Sequence, residues 1–598
     1  MNQMNTELTQ NVAVKNMSKN ARGLQALIIA LTLALGVTAQ SKERYVIMYK
    51  SQQGFSAMEN FMRLESAKNY GYKKSFKNVG GMVLESSDAS LIQKLNNHPE
   101  IAVVEKEFFT PSPKPLNGFT ILNENSNKNS NKNAHKNVAT LSQQIQSNEI
   151  DLSSFAPGDA TPWGILAVKA PQAWALSDGG AKARVLVLDT GIDPQHAALK
   201  ANFERGRNFF ESDTGPNPDD FLDEEGHGTH CSGTIAGSLN AETGFAGVAP
   251  NAKLLMGRVC GSLGCSNVAV VEGIDWGIAQ KVDVISMSLG GPIGSNAEKL
   301  ATQRAEKANV VVVAASGNSA GEEGYSHQCT GTPSPWGPPC GVSFPAAFPT
   351  VTAVGAINNK LEKTSFSQWG PELDVTAPGA AVVSSVPTGT GRDSVVNLVV
   401  GGMKLKVKSA AFSGVKAIAI PQMGQLVHVG LGKPEDFARV NVAGKFALVG
   451  RGEIRFSEKV ENAIKAKATG VVIYNNTDGL MQGSLSEDGS EIETPVVMIE
   501  QVEGNKVIEQ LTAGTTVSAE VSTVPSDYAS FDGTSMATPH VAGVIALIRS
   551  ANKSLTPAQV RMILAQTAMP LAPNDTNQFG AGVVQADAAV AAALNFKP

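Results

Sequence analysis

The sequence predicts an α/β fold: a mostly parallel sheet covered by helices on both faces, with a small α+β unit ahead of it and a second domain inserted into it. Three observations carry this. From Trp163 onward, apolar runs recur at Val185-Leu186-Val187-Leu188, Leu254-Leu255-Met256, Val282-Asp283-Val284-Ile285, Val310-Val311-Val312-Val313 and Val351-Thr352-Ala353-Val354. They lack the alternation of a half-exposed strand, and helical stretches separate them, the pattern of a parallel sheet buried on both faces. Near Gly391 the texture turns lysine-rich and shorter in period, and the glycine-rich α/β texture returns by about Asp532.

At 598 residues the chain has room for about four structural units. With 17% charged and 42% hydrophobic residues it is a packed protein rather than a disordered one. Its formal charge of −5 excludes a generally basic nucleic-acid binder, so no nucleic-acid partner is expected. That figure hides a division. Residues 1–150 carry 17 Lys and Arg against 11 Asp and Glu, whereas residues 151–598 carry 32 against 43.

Taken in order, the elements read as follows. Lys15, Lys19 and Arg22 precede an apolar stretch from Leu24 to Val37 and the small-residue site Val37-Thr38-Ala39. At roughly 14 residues the stretch is short for a membrane span and fits a secretory signal peptide over 1–39. No later segment approaches a spanning length, so the mature protein is expected to be secreted, extracellular and off the membrane. Residues 40–110 read as the α+β unit, with a strand at Tyr45-Val46-Ile47-Met48-Tyr49, helical spacing through Met58, Phe61 and Leu64, and a closing strand around Val103-Val104. Residues 111–150 contain the polar, repetitive stretch Asn123 to Asn137 and read as a flexible linker. A foldable unit between a signal peptide and a linker reads as a removable pro-segment. The α/β domain then occupies 151–390 and 527–598. The insertion, 391–526, has its own strand at Phe446-Ala447-Leu448-Val449, a helix from Glu458 to Ala468 and a strand at Val471-Val472-Ile473-Tyr474.

Reactive groups in an open parallel sheet collect at the carboxyl ends of its strands. Asp189 ends the first strong apolar run and is followed by the tight turn Thr190-Gly191. Asn318 follows the four valines, in Ala314-Ala315-Ser316-Gly317-Asn318. His227 sits in Gly226-His227-Gly228-Thr229-His230, which opens a helical stretch. Ser535 lies in Gly533-Thr534-Ser535-Met536-Ala537-Thr538-Pro539, and Pro539 with the apolar residues after it places Ser535 at a helix N-terminus. Together these residues suit nucleophilic acyl transfer. A serine hydroxyl needs a histidine to take its proton, the histidine needs a carboxylate to fix its tautomer, and a helix N-terminus offers N–H groups to a developing oxyanion. Taken singly, Asp189 reads as a helix cap, Ser535 as a helix start, and His227 with His230 as half a metal site. His230 and His540, which the chemistry does not need, read as hydrogen-bonded packing residues.

The order Asp, His, Ser and the blocks Asp189-Thr190-Gly191, His227-Gly228-Thr229-His230 and Gly533 to Pro539 resemble the three signature blocks of the subtilase family of subtilisin-like serine peptidases. Ala315-Ser316-Gly317-Asn318 resembles its oxyanion block. The resemblance implies a subtilisin-like three-layer fold and a serine-type endopeptidase. In it Asp189 orients, His227 is general base then acid, Ser535 is nucleophile, and Asn318 with the Ser535 N–H forms the oxyanion hole. No cofactor is required for that chemistry. Ser288-Leu289-Gly290-Gly291 resembles the segment that pairs with an extended polypeptide substrate on one side, and the loop from Cys260 to Asn267, with Gly264, resembles its counterpart on the other. Leu289, Gly290, Ala314, Ala315 and Ser316 would wall the S1 pocket with Ser343 near its base, and no charge lines it, so apolar residues are expected there.

The acidic run Asp219, Asp220, Asp223, Glu224 and Glu225 reads as a solvated loop, with recognition of basic residues and structural Ca²⁺ as the other readings. In one familiar subtilisin calcium site a ligand Asp follows the first catalytic residue by nine; here that position is Ala198. Of the five cysteines, Cys260 and Cys265, and Cys329 and Cys340, are close in sequence, and each pair closes a loop beside the cleft. They are expected as two disulfides. Cys231 remains as a buried free thiol four residues after His227, and His230-Cys231 resembles the cysteine-bearing branch that includes proteinase K. Residues 44–108 resemble the family's inhibitor-type propeptide, implying an intramolecular inhibitor. Gly444 to Gly452, with Lys459, Gly470 and Tyr474-Asn475-Asn476, resembles a protease-associated (PA) domain, read as a lid or docking surface or as a passive insert. From another class, the rival reading is a protein-binding scaffold on an inactive protease fold.

Overall fold

The structure is a computed structural model and describes residues 42–56, 72–113, 161–210, 217–240, 244–329, 340–412, 414–476, 480, 485 and 491–597. The expected signal peptide, the helical spacing through Met58, Phe61 and Leu64, and the linker beyond Pro113 lie outside these residues. Among the described residues no helix is long and apolar enough to cross a membrane.

The N-terminal unit is a four-stranded antiparallel sheet. It comprises β1 (Glu43–Tyr49), β2 (Tyr72–Phe76), β3 (Gly81–Ser86) and β4 (Ile101–Lys106), with helix α1 (Ala89–Asn96) and the short strand β5 (Phe109–Thr110) following β4. One face of β1 (Ile47, Tyr49) packs on Leu91 and Leu95 of α1, while Val46 and Met48 join the core of the larger domain. Alternation of side chains along a strand thus gives this unit one core of its own and one shared.

The larger domain contains β6 (Arg184–Asp189), β7 (Phe203–Asn208), α2 (His227–Ala236), β8 (Lys253–Arg258), β9 (Cys260–Gly261), β10 (Gly264–Ser266), α3 (Asn267–Ala279), β11 (Val284–Met287), α4 (Asn296–Lys307), β12 (Val311–Ala315), β13 (Val351–Ile357), β14 (Val375–Pro378) and β15 (Val382–Ser385). Helix α5 (Thr534–Ala551) belongs to it as well. Seven strands form one parallel sheet in the order β14-β13-β12-β11-β6-β8-β7. Both faces are buried, as the apolar runs predict. Val185 and Val187 of β6 share a core with Val541 and Ile545 of α5, while Leu186 and Leu188 share the opposite one with Val271 and Ile274 of α3. Strand β6 lies where the chain order reverses across the sheet, the place where an open α/β sheet exposes a crevice at its carboxyl end.

The insertion leaves from one strand of a hairpin and returns on the other. β15 pairs antiparallel with Tyr528–Phe531, and just beyond it Gly391 is in register with Ser526. Between them lies an eight-stranded sheet, whose central strands Phe446–Gly450, Gly470–Tyr474 and Val496–Ile499 are parallel and buried on both faces. The helix expected from Glu458 to Ala468 runs instead from Phe456 to Lys465. Glu458 accepts the Arg455 N–H at its start, and Lys467, in the left-handed region at φ 63°, turns the chain out of it.

Candidate active site

Asp189 closes β6 at the sheet's carboxyl end, and His227 opens α2; both are fully buried. The His227 Nδ1–H donates to Asp189 Oδ1 at 2.8 Å, an oxygen that also accepts the Thr190 N–H at 2.8 Å. His227 Nε2 is buried without a hydrogen-bond partner. Burial acts to lower the imidazole's pKa, but Asp189 and, after it, Cys231 together outweigh it and hold the group well above its ordinary value.

Ser535 is the second residue of α5, so its N–H has no intrahelical acceptor. Pro539 lies inside that helix and has no N–H to give the Ser535 carbonyl four residues back. That carbonyl is taken up from outside the helix, by the Ser288 hydroxyl at 2.8 Å and the Cys231 thiol at 3.5 Å. Ser535 Oγ in turn donates to the Ser288 carbonyl at 3.0 Å. The proline, whose presence marks a helix start in the sequence, thus ties the serine's backbone to the end of β11. Asn318 follows β12, and its Oδ1 accepts both the N–H and the hydroxyl of Thr534 at 2.9 Å. With the carbonyl end of that amide held, the Nδ2 donor is the end left for another acceptor.

Cys231 is a buried free thiol on α2, with Sγ 3.8 Å from His227 Nδ1. Burial pushes its pKa up, so it stays a neutral thiol. Asp189, His227 and Cys231 bring one ligand atom each within 4.8 Å of one another, but the carboxylate and imidazole already bond to each other. His230 forms no metal pair with His227. Its Nε2 faces the carbonyls of Val382 (2.9 Å) and Ala529 (3.2 Å), its ring stacks on Phe531, and burial lowers its pKa to about 3. His540 turns Nδ1 to the Met536 carbonyl at 2.8 Å, and burial lowers its pKa to about 4.

The expected cleft residues come together around the chain's own N-terminal unit. Cys265 and Ser266 of β10 pair antiparallel with Thr110 and Phe109 of β5. Further along that segment Ser112 Oγ donates to Glu225 Oε2 at 2.7 Å, two residues from His227. Ser288, Leu289 and Gly291 are buried. Gly291 exchanges both backbone hydrogen bonds with Phe344 at 2.9 Å, which makes it a fixed wall rather than a free ladder partner. Ala314, Ala315 and Ser316 lie at the end of β12, and the Ser343 hydroxyl donates to Gln368 Oε1 at 3.1 Å. Cys260 is bonded to Cys265 and Cys329 to Cys340.

This chain resembles known proteins over its larger domain. A family model described as the subtilase family matches residues 180–401, and one described as the PA domain matches 422–507. Subtilisin of Bacillus pumilus is 40% identical over 232 residues, covering 39% of this chain and 77% of that one. This chain belongs to the subtilase family. Subtilisin E of Bacillus subtilis is also 40% identical over 232 residues, but the match spans only 55% of its length. The subtilisin-like protease Apa1 of the Antarctic Pseudoalteromonas sp. AS-11 has a solved structure that superposes with TM-score 0.54 at 28% identity, covering 72% of this subtilase and 97% of that chain.

Two supports of the site carry no sequence motif of their own. Asp223 was expected in a solvated acidic loop; it is buried instead. Its carboxylate accepts from the Thr190 hydroxyl, the N–H groups of Glu225, Gly226 and Thr229, and the Thr229 hydroxyl, at 2.6–3.1 Å. It braces the loop before His227 against the turn after Asp189. Gln368 does the same for the Asn318 loop of this subtilase. Its N–H donates to the Gly317 carbonyl at 2.9 Å and its Oε1 accepts the Ser319 N–H at 3.2 Å.

Proposed function

We propose that this subtilase is a secreted serine endopeptidase that cleaves extended or unfolded polypeptide through an acyl-enzyme and is made as a self-processing precursor. His227 Nε2 takes the Ser535 proton as Oγ turns from the Ser288 carbonyl and attacks the substrate carbonyl carbon. Asp189 keeps the imidazole in the tautomer that leaves Nε2 basic and stabilises the imidazolium. The Ser535 N–H and Asn318 Nδ2 receive the oxyanion. His227 then protonates the leaving amine, and water repeats the sequence to release the acyl group.

The observation that carries this reading is the course of Phe109–Ser112. It lies on β10 as an added strand and leads to Glu225 beside His227. An extended polypeptide would take that course, and the N-terminal unit holding the position would act as an intramolecular inhibitor. The basic start, apolar stretch and small-residue site at the N-terminus support export. Ser535→Ala tests the proposal: loss of both proteolysis and removal of the N-terminal unit is expected, while unchanged processing in the purified variant would defeat autocatalysis.

A further inference from the structure

The hairpin β9–β10 has strands of only two and three residues, too short to hold a geometry unaided. Yet β10 sits between β9 and β5, with Cys265 in register with Cys260 on one side and Thr110 on the other. The Cys260–Cys265 bond joins the two strands directly opposite the seat of Thr110. That seat is a slot one peptide wide. A Cβ on Gly264, which has φ +107°, would stand 2.1 Å from the Thr110 carbonyl oxygen, and one on Gly291 would stand 2.8 Å from Thr110 Cγ2. The walls are anchored differently: Gly291 by its two bonds to Phe344, and Gly264 through the bridged hairpin.

We infer that the Cys260–Cys265 bridge is a positioning element for long substrates, holding β10 in the register that an incoming strand must match. It acts on substrate through Gly264 and the β10 backbone and touches no reacting atom. The inference rests on the proteolytic reading above and adds to it a selectivity for length. Without the bridge the hairpin must be ordered by each substrate that pairs with it, and binding weakens by the entropy of ordering those residues. A substrate too short to reach β10 does not depend on that order.

The experiment uses the full chain carrying Cys260→Ala and Cys265→Ala, assayed after its N-terminal unit, which otherwise fills the β10 slot, has been removed; alanine is chosen because both side chains are buried and serine would add unpaired hydroxyls. Hydrolysis of a long peptide is compared with that of a single-residue ester. The expected result is a rise of about tenfold in KM for the peptide, with kcat and all constants for the ester unchanged to within about twofold. Cys265→Ala alone opens the same bond with a smaller loss of volume and gives the same split if the double variant does not accumulate. Equal losses on both substrates, or no change on either, would overturn the inference. A wild-type protein that cleaves neither substrate defeats the proteolytic reading instead.

Discussion

The Ser288 hydroxyl donates to the Ser535 carbonyl at 2.8 Å, at the place where Pro539 withholds the helical amide. Removing it leaves that buried carbonyl with only the weak Cys231 S–H donor at 3.5 Å. Ser288→Ala is therefore expected to cost about 1–3 kcal/mol of stability, the cost of an unsatisfied buried acceptor. Pro539→Ala supplies a helical N–H for the same carbonyl, so in the Ser288→Ala background it should recover part of the loss. Additive effects in denaturant unfolding of the four proteins would show that the carbonyl is not the point of coupling.

Thr534 occupies Oδ1 of Asn318, so Nδ2 is the end of that amide left to donate. Asn318→Ala removes the donor and should lower kcat about 10² to 10³-fold with little change in KM, the loss seen when the corresponding donor is removed from a subtilisin. Thr534→Ala leaves the donor in place and removes the hydroxyl, one of the two bonds that hold Oδ1, while the backbone N–H keeps the other, so a smaller fall, about tenfold at most, is expected. Steady-state kinetics on one peptide distinguish the two. An Asn318→Ala enzyme with full kcat would exclude this residue from the oxyanion hole.

Much of this was legible in the sequence where burial is two-sided. Val185 to Leu188 announce a strand because each residue meets a core, whereas β7, Phe203-Glu204-Arg205-Gly206-Arg207-Asn208, lies at the sheet's edge and carries no such pattern. Asp189, His227 and Ser535 were legible because each stands in a distinctive local block. Asp223 was not: its carboxylate is enclosed by Thr190, brought from the distant turn after β6, as well as by the nearby Gly226 and Thr229, and a run of acids by itself reads as solvated. Gln368 is hidden for the same reason, as its partners lie on the loops after β12 and before β13. Strands β9 and β10 owe their geometry to a disulfide and a partner strand rather than to propensity.

The insertion enters and leaves on paired backbone. The Val386 N–H donates to the Asp527 carbonyl at 2.9 Å, and Gly389 N–H to the Asp527 carboxylate at 2.8 Å. Residues 391–526 also have their own two cores. Replacing them by a short turn between Thr390 and Asp527 is therefore expected to leave a folded catalytic domain, with ester hydrolysis within about threefold of the full chain. Loss of ester hydrolysis in a protein that still unfolds cooperatively would mean that the insertion completes the site.

Glu105 of the N-terminal unit caps the same helix turn that buries Glu298. Its carboxylate accepts the Asn296 N–H at 2.8 Å, Asn267 Nδ2 at 3.0 Å and the Ser295 hydroxyl, while Ser295 also receives the Glu298 N–H at 3.1 Å. Burial raises the Glu298 pKa to about 8, and the like charge of Glu105 adds to it. Departure of the N-terminal unit removes that charge and admits water, so the Glu298 pKa should fall back toward its ordinary 4.5. The associated state then holds a proton that the separated state releases. Association is fully favoured below about pH 4.5 and weakens as pH rises toward 8, by at most about tenfold per unit. Size-exclusion chromatography of the processed protein from pH 5 to 9 should therefore show the cleaved unit co-eluting at low pH and separating at high pH, with Glu298→Gln remaining associated throughout. Release of the wild-type and Glu298→Gln units over the same pH range would show that this carboxyl does not govern the separation.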